Sequence, residues 1–115
     1  MKEIIQRARY AKLSQNAEKH IRKHYKEFGY ESREEFTRGK IIKIAQRISK
    51  TATHMFLHQS KYGDAIIFFD GQHILIVDRE RNSIKAIFAV IDKEYIRKKL
   101  QRNFWIEIDQ EGNPV

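Results

Sequence analysis

Apolar positions along the chain follow two different periods. From Ala17 to Phe28, the residues Ala17, Ile21, Tyr25 and Phe28 recur at the spacing of one helical face, and Gly29 follows as a stop signal. The pattern predicts a helix that ends at "EFGY". Ser32 and Glu35 then give the spacing of a capping box ahead of a stripe of Ile41, Ile44, Ala45 and Ile48, predicting a second helix from about Ser32 to Ser49. Near Thr51 the period changes, and β-branched and aromatic residues take over. The segment "DAIIFFDGQHILIVDRERNSIKAIFAVID" reads as three short apolar runs, with Asp70-Gly71 marking a hairpin and "DRERNS" the next reversal. An antiparallel meander follows from this, and "THMFLHQ" adds an edge strand ahead of it. Asp92 is positioned to cap a third helix, "KEYIRKKLQRN", with Ile96 and Leu100 facing the core. "FWIEID" closes the chain as a short strand or docking tail. The expected fold class is therefore α+β: N-terminal helices packed on a small antiparallel β-meander, with a C-terminal helix.

A chain of 115 residues fits one domain spanning 1–115, since dividing it would leave too little apolar surface for two cores. Its only proline is Pro114, and no repeat or low-complexity linker interrupts it. Hydrophobic residues make up 41% of the chain, enough for a packed core, but charged residues make up 33%, above the ~25% common in globular proteins. Lys and Arg number 23 against 15 Asp and Glu, a formal net charge of +8. On so small a body this creates a positive field that concentrates phosphates, and RNA is the expected partner. With no cysteine, disulfides, thiolate metal sites and cysteine nucleophiles are excluded. No apolar run approaches the ~18 residues of a membrane span, so no membrane partner is expected. "MKEIIQRARYAKLSQ" lacks the apolar stretch and cleavage site of a secretion signal, which makes the cytoplasm the expected site of action.

Five histidines stand at 20, 24, 54, 58 and 73. On the first predicted helix, His20 and His24 share a side where the apolar arc meets solvent. An imidazole at such a rim is partly desolvated yet still reaches a ligand, as a general base near neutrality must. "EKHIRKHYKEFGY" surrounds the pair with Lys19, Arg22, Lys23 and Lys26, so a phosphate drawn to these cations also approaches imidazole. In "NSIKAIFAV" strand alternation puts Ser83, Lys85 and Ile87 on one face, offering a hydroxyl and an ammonium together. Lys85 is the most informative charge, because a lysine in an apolar strand either snorkels to an edge or serves a ligand. Arg79 and Arg81 in the turn "DRERN" are further candidates for phosphate binding. The tyrosines and Trp105 are candidates to stack on bases or to fill the core. His20 with His24, and His54 with His58, show the i, i+4 spacing that on a helix can seat a metal. Neither pair sits in an HExxH motif, however, and no third ligand is marked, so no metal and no cofactor are expected. No glycine-rich phosphate loop, G-x-S-x-G elbow or kinase signature occurs.

The run "HIRKHYKEFGY", followed by a capped helix and a meander ending in "NSIKAIF", resembles the barnase/EndoU/colicin/RelE-like ribonuclease toxin domains, many of which show "KHxxKHxxDFG" at the first helix and "T-I-K-T-x-F" in the last strand. Glu27 stands at the family's Asp and Ser83 at its Thr, and the resemblance covers roughly residues 17 to 90. It implies metal-independent cleavage of RNA, often tRNA, and an acidic immunity or antitoxin protein as partner. It also implies His24 or His20 as the family histidine, with Lys23, Ser83 and Lys85 beside it. The expected function is thus a toxin-type endoribonuclease in which one histidine removes the ribose 2′-hydroxyl proton and the product is a 2′,3′-cyclic phosphate. In that scheme Lys19, Arg22, Lys26, Arg79 and Arg81 hold RNA. The alternative is a noncatalytic RNA- or DNA-binding module that uses the same basic face.

Overall fold

The protein, seen as a computed structural model that describes residues 1–102 and 104–115, places its strands between two layers of helix. Helices α1 (Lys2–Ala8), α2 (Gln15–Arg22) and α3 (Arg38–Thr51) precede strands β1 (His54–His58), β2 (Ala65–Phe69), β3 (His73–Asp78) and β4 (Ser83–Ala89), and a 3-10 turn, Tyr25–Phe28, lies between α2 and α3. Helix α4 (Tyr95–Gln101) and strand β5 (Ile106–Ile108) complete the chain. All strand pairings are antiparallel, in the order β4-β3-β2-β1-β5. The fold class is the α+β class that the sequence pattern predicts.

Because strand side chains alternate, the sheet carries apolar residues to both faces. Met55, Leu57, Ile66, Phe68, Leu75, Val77 and Ile108 face Ile5, Ile21, Phe36, Ile41, Ile44 and Ile48 from the N-terminal helices. On the other face Phe56, Ala65, Ile67 and Ile74 pack with Trp105 and with Tyr95, Ile96 and Leu100 of α4. The apolar run of β2, Ala65–Phe68, is buried throughout, as expected for a strand covered on both sides.

Several boundaries differ from those the pattern predicts. Helix α1 is an element the pattern did not mark; only Ile5 and Ala8 are buried in it, too few to stand out as a stripe. The first predicted helix shortens to α2, because His24 N–H donates to the Ile21 carbonyl (2.9 Å) and tightens the chain into the 3-10 turn. That turn ends at Gly29, whose φ of 84° favours a residue without a Cβ. The second predicted helix starts only at Arg38. The Ser32 hydroxyl accepts from Glu35 N–H (3.3 Å) in a separate turn, which sends Phe36 into the core before Thr37 extends into the α3 cap. β1 is not an edge strand, because β5 pairs outside it in register Phe56↔Glu107, so the tail predicted as strand or docking segment is a strand. Asp92 holds the turn ahead of α4 through Glu94 N–H (2.9 Å), while Glu94 is the cap residue. Asn103, the last residue of that predicted helix, lies outside the described residues.

At the β2–β3 reversal, Asp70 Oδ1 accepts the N–H groups of Gln72 (2.9 Å) and His73 (2.6 Å), and Gly71 takes a φ of 99°. Burial pushes the Asp70 carboxyl up, but the His73 and Gln72 N–H groups and the His73 ring outweigh it, and the carboxyl lies below its ordinary 3.8. A depressed carboxyl contributes stability that is present above the unfolded-state value and lost as pH falls through the folded one. Asp70→Ala should therefore cost about 1–2 kcal/mol at neutral pH, and the penalty should shrink below about pH 4. Urea unfolding midpoints measured across this range check it, and a penalty that stays constant into acid would contradict it.

Candidate functional site

Strand β4 lies at one end of the sheet, and α2 packs along it. Its register is broken by a bulge: Ile76 opposes Ala86, but Val77 opposes Ile84, so Lys85 is the extra residue. The sequence pattern placed Ser83, Lys85 and Ile87 on one face. Instead, the bulge lets both Ile84 and Ile87 reach the core while Lys85 leaves the strand exposed. The lysine in the apolar strand is thus turned out at the open edge.

That edge meets α2 in a small depression of about 50 Å³ lined by His20, Ile21, His24, Lys85, Ala86 and Ile87. The structure therefore brings together His20 of α2, His24 just beyond its end and the strand lysine. The His24 side chain keeps 42% of its exposure and Glu27 22%, so the ring is half-sheltered and still open to solvent. His24 Nδ1 is hydrogen-bonded to Glu27 Oε2, and the other oxygen of the same carboxylate accepts Ala89 N–H at 2.8 Å. Glu27 thus ties the histidine to the edge strand. A carboxylate on Nδ1 selects the tautomer that carries its proton there and leaves Nε2 as the free lone pair. The edge also presents a donor. Val90 N–H points inward to the Gln72 carbonyl (2.8 Å), so by antiparallel alternation the N–H groups of Ala89 and Ile87 point outward. Glu27 takes the first, and the second lies beside the depression that Ile87 lines.

The other predicted residues divide into two groups. Lys23 and Lys26 are exposed just after α2, and Lys19 is exposed within it; none has an ion-pair partner among the described residues, and none lines the depression. Ser83 is half-buried at the start of β4, bridged to Lys12, and lies outside the depression. Arg22 is already engaged, to Glu18 at 3.6 Å and to the Arg33 carbonyl at 3.1 Å. Arg79 is held by Asp64 at 3.2 Å, whereas Arg81 is exposed in the same turn. His54 and His58 lie on a strand, where four residues span roughly 13 Å, so the shared-ion spacing of a helix does not apply to them. His73 is stacked on Phe28 at 5.0 Å and bonded to Asp70 at 3.3 Å.

Sequence reasoning missed two residues. Glu27 was noted only as standing at the resembling family's Asp and was given no role, although its spacing of three from His24 was available as a signal. Lys12 gave none: it reaches β4 because Lys12 N–H donates to the Asn82 carbonyl (2.9 Å) and Ile84 N–H to the Lys12 carbonyl (2.8 Å), leaving its side chain exposed beside the same edge.

No protein-family model, no curated protein and no solved structure matches this chain. Among the described residues, no helix is long and apolar enough to cross a membrane, and no three His, Asp or Glu side chains are grouped to hold a metal ion.

The tie through Glu27 has a measurable consequence. In Glu27→Gln one acceptor remains for either His24 or Ala89, and the ring should shift toward a mixed tautomer population, visible in the ¹⁵N shifts of the imidazole. Glu27→Ala leaves both without a partner and should cost about 1–3 kcal/mol in unfolding free energy. An unaltered tautomer in Glu27→Gln would contradict the role given to the carboxylate.

Proposed function

We propose that this protein is a metal-independent endoribonuclease. The observation that carries the reading is the shared depression in which His20, His24 and Lys85 stand, with His24 oriented by a carboxylate. Imidazole and ammonium at one place suit attack by a ribose 2′-hydroxyl on its own 3′-phosphate. In this mechanism His24 Nε2 removes the 2′-hydroxyl proton as that oxygen bonds to phosphorus. Protonated His20 gives a proton to the departing 5′-oxygen, leaving a 2′,3′-cyclic phosphate and a 5′-hydroxyl. Lys85 and the outward Ile87 N–H stabilise the charge that grows on the phosphate oxygens, the effect that dominates many such reactions. Lys23 and Ser83, outside the depression, serve flanking positions instead of the reacting phosphate. Lys12, Lys19, Lys26 and Arg81 extend the positive track along which an RNA backbone lies, while the engaged Arg22 and Arg79 contribute charge without a free donor fork.

The net charge of +8 also favours a polyanionic substrate, and the proposal includes structured RNA such as tRNA as that substrate, an acidic inhibitor protein as partner and the cytoplasm as the place of action. A noncatalytic nucleic-acid module on the same face is the competing reading, and the two separate cleanly in one assay. Purified protein incubated with total cellular RNA should yield fragments ending in cyclic phosphate, with EDTA making no difference. His24→Ala should lower the rate by about 10²–10⁴-fold and Lys85→Ala by about 10²–10³-fold, while circular dichroism stays native. RNA left intact after long incubation, with binding that weakens steeply in salt, would leave only the binding module.

A further inference from the structure

A larger hollow lies away from the depression, beneath α4 on the far face of the sheet. It measures about 580 Å³ and is lined by Phe56, Phe69, Val90, Ile96 and Leu100, with His54, Glu107, Lys93 and Arg97 among its polar lining. That volume falls within the ~300–1,000 Å³ of small-molecule sites, which likewise combine apolar walls with a few polar groups. The walls suit a flat ring: His54 lies nearly parallel to Phe56, at 15° and 6.3 Å. His54 Nδ1 engages one oxygen of Glu107 at 3.3 Å, leaving the carboxylate's other oxygen to accept from an amino group. Arg97 is paired with Glu94, but Lys93 has no ion-pair partner among the described residues. Flat apolar walls and an acceptor match a nucleotide's base, and the free cation matches the negative charge of the backbone from which the base hangs.

The hollow is connected to His24 through the end of β4. Glu27, which holds His24, accepts the N–H of Ala89, and the next residue, Val90, lines the hollow. Phe88 lies between His24 and α4, the helix over the hollow, its ring 6.4 Å from His24 and 5.8 Å from Tyr95 at the start of α4. Single-stranded RNA is read by splaying bases onto aromatic side chains. We infer that this cavity is a base-binding subsite, taking the base and sugar of a nucleotide next to the phosphate held at His24, with preference for a base that carries an amino group. The placement of the phosphate rests on the nuclease reading above.

The test is an NMR titration of the intact protein with adenosine, guanosine, cytidine and uridine 3′-monophosphates, with inorganic phosphate alone as reference. Phosphate should shift only the amides around His24 and Lys85, whereas an amino-bearing nucleotide should also shift Gly71, Val90, Ile96 and Glu107. Leu100→Trp fills the cavity and should weaken nucleotide binding by about tenfold or more, given what base–aromatic stacking contributes, and leave phosphate binding as it was. Should that variant fail to fold, Lys93→Glu leaves the walls intact and must still weaken nucleotide binding. Nucleotide shifts identical to those of phosphate, or occupation of the cavity by laurate in preference to every nucleotide, would overturn the subsite. Nucleotides seated there in a protein that leaves RNA whole would keep the subsite and remove the nuclease, and cleaved RNA with an empty cavity would do the reverse.

Discussion

One carboxylate joins the fold to the candidate chemistry. Glu27 accepts from the backbone of Ala89 with one oxygen and holds the His24 ring with the other. An edge strand presents unpaired N–H groups that attract other chains, so satisfying one of them from a side chain also protects the sheet. The same bond fixes where the 3-10 turn lies against β4, and the turn in turn sets the histidine. Remove the carboxylate, and the strand end and the imidazole lose their common reference together.

The far end of the same edge is closed differently. Lys12 runs parallel to Ser83, taking Ile84 N–H on its carbonyl and giving its own N–H to Asn82. With both ends of β4 occupied, the stretch from Lys85 to Ile87 is the part left open, and there the bulge turns the lysine outward. A regular strand would have pointed Lys85 and Ile87 the same way, and one of them would have suffered: a buried ammonium without a partner, or an exposed isoleucine. The extra residue resolves this conflict by advancing the alternation one step. Bulges beside candidate sites commonly re-aim a side chain in this way.

How far the chain could be read without coordinates follows from the range of each interaction. The strands β2, β3 and β4 were legible because short runs of β-branched and aromatic residues and the Asp70-Gly71 turn are encoded locally, and the closeness of His20, His24 and Lys85 could be guessed from charge and type. What escaped notice was non-local. Helix α1 buries two side chains against elements far along the chain, and β1 is interior only because β5 returns from the terminus to pair with it. The start of α3 moved for a similar reason: the core's hold on Phe36 outweighed the helical tendency of the residues around Glu35. The bulge at Lys85 has no signature in "NSIKAIFAV", since it depends on what β3 presents opposite.

The basic residues show a division that composition alone hides. Arginines carry much of the structural pairing: Glu18 binds both Arg22 and Arg38, Asp64 holds Arg79, and Arg22, Arg7 and Arg38 also donate to backbone carbonyls. A planar guanidinium with several donors suits such fixed, multi-contact roles. The lysines near β4, namely Lys12, Lys19, Lys23, Lys26 and Lys85, remain exposed without an acidic partner among the described residues. A flexible, strongly hydrated ammonium gives little to stability there, and its accumulated charge opposes folding by self-repulsion. Such a cluster beside a sheltered imidazole is therefore poorly explained by the fold's own needs. A polyanion laid along that edge would relieve the repulsion, so binding and stability should be coupled through the same side chains.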